Sequence, residues 1–158
     1  MDNPIPDIYK LLACPDCKKD VKKMLGCYSE GCERRFEVTD DGIISMMPSN
    51  TLPIPEMYAD PAYVAAVERA HELMTYSYES KSIVGYINNV YHKIQQSLIE
   101  KYSSRDEIII DLGCGLGAHL KHCSNYAHKH WVGFDGRMDF LQAIKKLYPD
   151  VQLVQGDL

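Results

Sequence analysis

Residues 107–117 read Glu-Ile-Ile-Ile-Asp-Leu-Gly-Cys-Gly-Leu-Gly, and no other stretch of the chain leaves so few choices of local structure. Consecutive β-branched side chains favour an extended backbone, and a short unbroken apolar run suits a strand covered on both faces. Glycines at 113, 115 and 117 then end the strand, because they admit φ > 0 and let the main chain come close to a ligand. Helix-forming residues follow from Ala118 to about Tyr126. A strand, a glycine turn and a helix in that order open an α/β unit.

The downstream sequence continues the alternation. His130–Asp135 reads as a second strand, and Met138–Leu147 as a helix with Leu141, Ile144 and Tyr148 on one face, stopped by Pro149. Val151–Gln155 reads as a third strand. The spacing therefore predicts an α/β fold: a truncated, three-stranded Rossmann-like half-sheet in the spatial order third, second, first. Upstream, Asp60-Pro61 is a helix start, with aspartate as N-cap and proline at the first helical position, and a helix is expected through about Met74. Ile83, Ile87, Val90, Ile94 and Leu98 form the apolar stripe of a second helix, from about Ser82 to Tyr102.

The N-terminal third has a different character. Four of the six cysteines lie between residues 14 and 32, as a C-x2-C (Cys14, Cys17) and a C-x4-C (Cys27, Cys32). Two tight turns that each present two thiolates match the four convergent soft donors of tetrahedral zinc. A disulfide scaffold would spread its cysteines along the chain. Four protein thiolates leave no open position on the metal, so the zinc is read as structural, supplying folding free energy to a segment too small for a core of its own. The expected organisation is a small zinc ribbon at 1–47, a proline-rich extended linker at 48–61 and an α/β segment at 62–158. The ribbon, with Phe36, Asp41-Gly42-Ile43 and Met47-Pro48 after its cysteines, resembles the small zinc-ribbon family that includes an activator subunit of tRNA and release-factor methyltransferases. It departs from the commoner C-x2-C second knuckle.

Two cofactor classes compete for the glycine turn. A dinucleotide would use G-x-G-x-x-G and set its pyrophosphate on the following helix. Here the spacing is G-x-G-x-G, and Asp111 stands two residues before the first glycine. A carboxylate there repels a pyrophosphate and suits the ammonium and sulfonium end of S-adenosylmethionine. Asp135 ends the second strand, where a carboxylate accepts from ribose hydroxyls. Asp157 follows the third strand in Gly156-Asp157. By these features residues 107–158 resemble the class I methyltransferase core. The resemblance implies that Asp111, Gly113, Gly115 and Gly117 border the methionine portion, Asp135 the ribose, and Asp157 and Leu158 the adenine. The succession of ribbon, linker, helices and core is also similar to ribosomal RNA guanine methyltransferases with an N-terminal zinc module.

Other residues draw attention and are read plainly. His119, His122, His128 and His130, near Cys123, form no familiar ligand motif and are read as a polar helix face. Cys114 is read as a small residue between glycines, with no base assignable to it. Tyr76 or Tyr78 is a candidate cover for the cofactor. The formal net charge of -5 argues against a dominant nucleic-acid or anionic-membrane surface. No apolar stretch approaches the roughly 20 residues that span a bilayer, and the N-terminus lacks a signal-peptide pattern, so the expected location is cytoplasmic.

The sequence stops just after the third strand, short of where such cores carry their catalytic residues. It reads as part of a longer enzyme or as a half-domain completed by a second chain, and self-association through the first strand's open edge is expected. The methyl acceptor, whether small molecule, protein or RNA, is not readable from these residues. Two functions stand: the cofactor-binding portion of a zinc-ribbon methyltransferase, or a non-catalytic module that binds or activates a partner methyltransferase.

Overall fold

The computed structural model of the protein describes residues 7–22, 26–27, 31–49, 60–66, 69, 83–104, 107–122 and 130–157. In chain order the elements are a 3-10 turn at Ile8–Leu11, strands β1 (Val21–Lys22), β2 (Gly26–Cys27), β3 (Glu37–Val38) and β4 (Ile44–Ser45), then helix α1 (Ile83–Tyr102). Strand β5 (Ile109–Leu112), helix α2 (Ala118–His122), strand β6 (Trp131–Asp135), helix α3 (Met138–Leu147) and strand β7 (Gln152–Gln155) follow. The chain divides into two compact units, Met1–Asn50 with Arg105–Leu158, and Thr51–Ser104.

In the first unit β5, β6 and β7 are parallel and adjacent in the order β7-β6-β5, and this succession of strands and helices is compatible with a Rossmann-like fold. The sheet is larger than the three strands expected from sequence. It has five, in the order β3-β4-β7-β6-β5. The cysteine-rich segment supplies the other two: β3 and β4 form an antiparallel hairpin, and β4 lies parallel to β7, with Ile44 opposite Val154 and Ser45 opposite Gln155.

Elementary constraints account for the addition. Beyond β6, strand β7 would leave a row of unpaired main-chain groups, which an adjoining strand satisfies. Met46 N–H donates to Gln155 O at 2.7 Å and extends that pairing. The hairpin turn is set by Asp41-Gly42, with Gly42 at φ +79° and the Thr39 hydroxyl accepting from Ile43 N–H at 3.1 Å. Burial follows the same line. Ile8, Leu12, Cys14, Val21, Phe36, Ile44 and Met46 pack in one apolar cluster with Val132 of β6 and Val154 of β7. The cysteine-rich segment and the parallel strands thus share a sheet and a core.

Helix α3 covers the sheet through Leu141 and Ile144, both fully buried, and ends where Tyr148 N–H bonds Ile144 O before Pro149. Among the described glycines, Gly133 in the middle of β6 is the most closely packed. A Cβ there would stand 2.9 Å from Leu153 Cδ2 and 3.0 Å from Cys114 Sγ. Gly133→Ala is therefore expected to destabilise the fold by about 1–3 kcal/mol, the usual cost of overpacking. Adding Cys114→Ala, which removes one of the two opposing atoms, should recover part of the loss. Urea denaturation of the two variants checks both expectations.

The second unit contains a helical run at 61–66 and helix α1. Asp60 caps the first as the sequence implies, its carboxylate accepting from Ala62 N–H at 2.7 Å. The expected continuation to Met74, the linker residues 50–59, and Tyr76 and Tyr78 lie outside the described residues. Helix α1 starts within one residue of its expected position and ends on the expected one, Tyr102, beyond which Ser103 N–H and hydroxyl both bond Ile99 O. Among the described residues no helix is long and apolar enough to cross a membrane.

Candidate functional site

Two sites emerge from the first unit. At the cysteine-rich end, Cys14, Cys17 and Cys32 bring their sulfurs within 4.8 Å of one another, and none of the three is in a disulfide. Cys14 Sγ and Cys32 Sγ are 3.9 Å apart. Zinc–sulfur bonds of about 2.3 Å in a tetrahedron hold sulfurs about 3.8 Å apart, so this trio can hold a metal. The side chain of Cys27, the fourth expected ligand, lies outside the described residues.

Local backbone builds the first knuckle. Cys14 N–H donates to Lys19 O and Lys18 N–H to Cys14 O, which folds the chain around Cys14-Pro15-Asp16-Cys17 with Lys18 at φ +61°. Asp16 ties this turn to the end of the hairpin. Its carboxylate accepts from Ser49 N–H at 3.0 Å, Ser49 Oγ at 2.7 Å and Arg34 at 2.9 Å. The two Ser49 bonds, more than the Arg34 charge, hold the Asp16 carboxyl below its ordinary value. Arg34 also donates to Met47 O and Ser49 Oγ, and its guanidinium lies over the Phe36 ring.

The second site lies at the carboxyl ends of β5, β6 and β7, where open parallel sheets bind their ligands. The glycine loop is pinned to β6: Gly113 N–H and Cys114 N–H both donate to Phe134 O, at 2.9 and 3.0 Å. All three loop glycines have positive φ: +71° at Gly113, +53° at Gly115 and +78° at Gly117. Gly117 carries a second constraint, since a Cβ there would sit 3.2 Å from Ile144 Cγ1 of helix α3. At Gly115 a Cβ would meet nothing within 4 Å, so the loop there faces open space that a ligand can take.

Asp135 is brought directly to this loop. Its Oδ2 accepts from Gly115 N–H at 2.9 Å and its Oδ1 from Arg137 N–H at 2.9 Å. Two carboxylate oxygens offer about four acceptor positions, so about two remain for a diol. Gly156 N–H bonds Asp135 O at 3.1 Å and brings the end of β7 alongside. Gln155 links the neighbouring elements, accepting from Ser45 Oγ at 2.8 Å and donating to Gly136 O at 3.0 Å. Asp157 is exposed just past β7, and Leu158 lies outside the described residues.

Asp111 lies beneath the loop with only 8% of its surface exposed. One oxygen, Oδ1, is 3.2 Å from His119 Nδ1, whereas the buried Oδ2 has no hydrogen-bond partner among the described residues. The hydrogen bond to Asp111 raises the His119 imidazole above its ordinary value, against the opposing effect of burial. Cys114 is buried beside both acids. Burial first, then the charges of Asp111 and Asp135, push its thiol up to about 12. A thiol held protonated is no nucleophile, in keeping with the sequence reading.

Sequence reasoning left out two of these residues. By sequence pattern His119 belongs to a polar helix face, and Gln155 only to a strand. The available signal for His119 was its place one turn beyond a glycine loop that begins with an acid. His130 is buried, while His128 and Cys123 lie outside the described residues. A separate groove of about 450 Å³, lined by Ile8, Tyr9, Ile44, Lys145 and Gln152 among others, opens at the start of β7, the end opposite the glycine loop.

No protein-family model and no curated protein sequence matches the chain. Among solved structures, the crystal structure of Streptomyces venezuelae DesVI aligns at 27% identity with a TM-score of 0.35, over 42% of this chain and 28% of that one. The chain thus matches little more than a quarter of that protein's length.

Proposed function

We propose that this chain binds S-adenosylmethionine at the carboxyl ends of β5–β7 and serves as the cofactor-binding portion of a methyl-transferring protein. The single observation that carries the reading is Asp111: a nearly buried carboxylate under the glycine loop with one oxygen lacking a partner. An uncompensated carboxylate oxygen is costly to bury and is offset by a cation. It would repel the pyrophosphate that a dinucleotide brings to this loop. When bound, S-adenosylmethionine supplies an electrophilic methyl group on a sulfonium.

The chain's own residues then divide the work. Gly113, Gly115 and Gly117 let the main chain approach the methionine portion, and Asp111 offsets its positive charge. Asp135 accepts from the ribose hydroxyls while its bonds to Gly115 and Arg137 hold the loop in place. Asp157 and Leu158 border the adenine. Catalysis in such a protein would rest on proximity and orientation.

The proposal extends to the organisation of the chain: a ribbon at 1–47, a linker at 48–61 and a cofactor segment at 62–158. In the ribbon, Cys14, Cys17, Cys27 and Cys32 hold one structural zinc. The absence of a disulfide at Cys14, Cys17 and Cys32 and the 3.9 Å spacing of the Cys14 and Cys32 sulfurs support this over paired disulfides.

The test is comparative calorimetry on the full chain. S-adenosylmethionine and its thioether product, S-adenosylhomocysteine, are expected to bind with 1:1 stoichiometry, and NAD is expected not to bind. Binding of NAD in place of either would refute the reading.

A further inference from the structure

The site contains a titratable partner that the cofactor reading does not use. We propose that His119 sets this site's preference between a sulfonium and a thioether, by switching the Asp111 pair between neutral and negative. The inference rests on the cofactor reading above.

The geometry is asymmetric. His119 Nδ1 holds Asp111 Oδ1 at 3.2 Å from helix α2, while Oδ2 points into a buried position with no partner among the described residues. The His119 side chain is 37% exposed and so exchanges protons with solvent, whereas Asp111 at 8% does not face it. With a protonated imidazole the pair is neutral overall. With a neutral imidazole the same hydrogen bond survives through the Nδ1–H tautomer, and the pair carries one negative charge. In a nearly buried setting that difference acts strongly on a ligand beside Oδ2.

S-adenosylmethionine carries one more positive charge than S-adenosylhomocysteine. A neutral His119 therefore favours the sulfonium, and a protonated His119 disfavours it relative to the thioether. Among the described residues, the other titratable groups at the loop are Cys114 between the glycines and Asp135 at the end of β6. The Cys114 thiol, pushed up to about 12 chiefly by burial, stays neutral through the physiological range. Asp135 is tied by two main-chain N–H groups, those of Gly115 and Arg137. His119 is the imidazole that touches the Asp111 carboxylate among the described residues, at 3.2 Å.

The raised His119 value also fixes the sign for stability. The ion pair stabilises the fold below the ordinary imidazole range, and that contribution is lost as pH rises through the elevated value. Tighter sulfonium binding at high pH thus accompanies a slightly weaker apo fold, which a general loosening of the site at low pH would not produce.

The test uses the full chain and calorimetric affinities for both ligands between pH 5.5 and 8.5. The ratio of S-adenosylmethionine to S-adenosylhomocysteine affinity is expected to rise by about tenfold across the His119 titration, equivalent to a shift of one unit in its pKa on binding. His119→Asn, which keeps a donor near Oδ1 but cannot take a charge, should hold the ratio flat. Imidazole NMR resonances give an independent readout: S-adenosylmethionine should lower the His119 pKa, and Asp111→Asn should lower it in the free protein. A flat ratio in the wild type, or a ratio in His119→Asn that still depends on pH, overturns the inference and leaves the cofactor reading standing. Failure of both ligands to bind at every pH overturns both.

Discussion

Replacing Cys14 by serine is expected to destabilise the five-stranded sheet as a whole, well beyond the knuckle it belongs to. Cys14 is fully buried and lies in the same apolar cluster as Ile44 of β4, Val132 of β6 and Val154 of β7. Loss of one thiolate would forfeit much of what the proposed zinc contributes to folding, which in small zinc peptides reaches roughly 10–16 kcal/mol. It also leaves a hydroxyl in an apolar site. A loss of about 3–5 kcal/mol is expected, at the upper end for one substitution. The chain carries its own reporter. Trp131, its single tryptophan, stands on β6 with 3% of its surface exposed. Its fluorescence transition in urea should shift with Cys14→Ser and equally with zinc chelation. A transition unchanged by either would mean that the metal segment folds apart from the sheet.

Asp135→Ala is expected to weaken S-adenosylmethionine binding by about 1–3 kcal/mol, the range for losing charge-assisted hydrogen bonds. Two reasons underlie the expected loss. The carboxylate holds Gly115 N–H and Arg137 N–H, and in the proposed complex it also accepts from the ribose diol. Its removal frees the loop as well as the ligand contact. Asp135→Asn keeps acceptor capacity on one oxygen and should fall between wild type and alanine. Calorimetry on the three proteins orders them; equal affinities would remove Asp135 from the site.

Much of this arrangement is legible in the residues. The Ile108–Ile110 run, the three alternating glycines and the Leu141/Ile144 face are local signals, and the strands and helix they imply appear where expected. α3 spans the expected residues without a shift. The placement of Asp135 against the glycine loop follows from the order of parallel strands, because successive carboxyl ends meet at one edge. The cysteine spacing likewise brings three sulfurs together.

What the residues do not reveal is long-range pairing. Strand β4 is only Ile44–Ser45, too short for a period-2 pattern, and its partner β7 lies more than a hundred residues away. Nothing local in Asp-Gly-Ile-Ile-Ser distinguishes a hairpin that ends alone from one that extends another sheet. The Asp111–His119 pair was hidden for a related reason. Its partners sit on a strand and on a helix, so neither the period-2 nor the 3.6-residue repeat makes them neighbours. The contact exists because the glycine loop reverses the chain tightly enough to bring the first turn of α2 over the end of β5.

An S-adenosylmethionine site at the carboxyl ends of β5–β7 would be read at the loop's own backbone amides. Titration of the isotope-labelled chain with S-adenosylmethionine, followed through its backbone amide resonances, tests it most directly. Saturable shifts are expected at Gly113, Cys114, Gly115 and Gly117, and at Gly136 and Arg137 beyond Asp135. Residues of the groove at the other end of β7, such as Tyr9 and Lys145, should stay in place. Shifts confined to that groove, or no shifts at all, would contradict it.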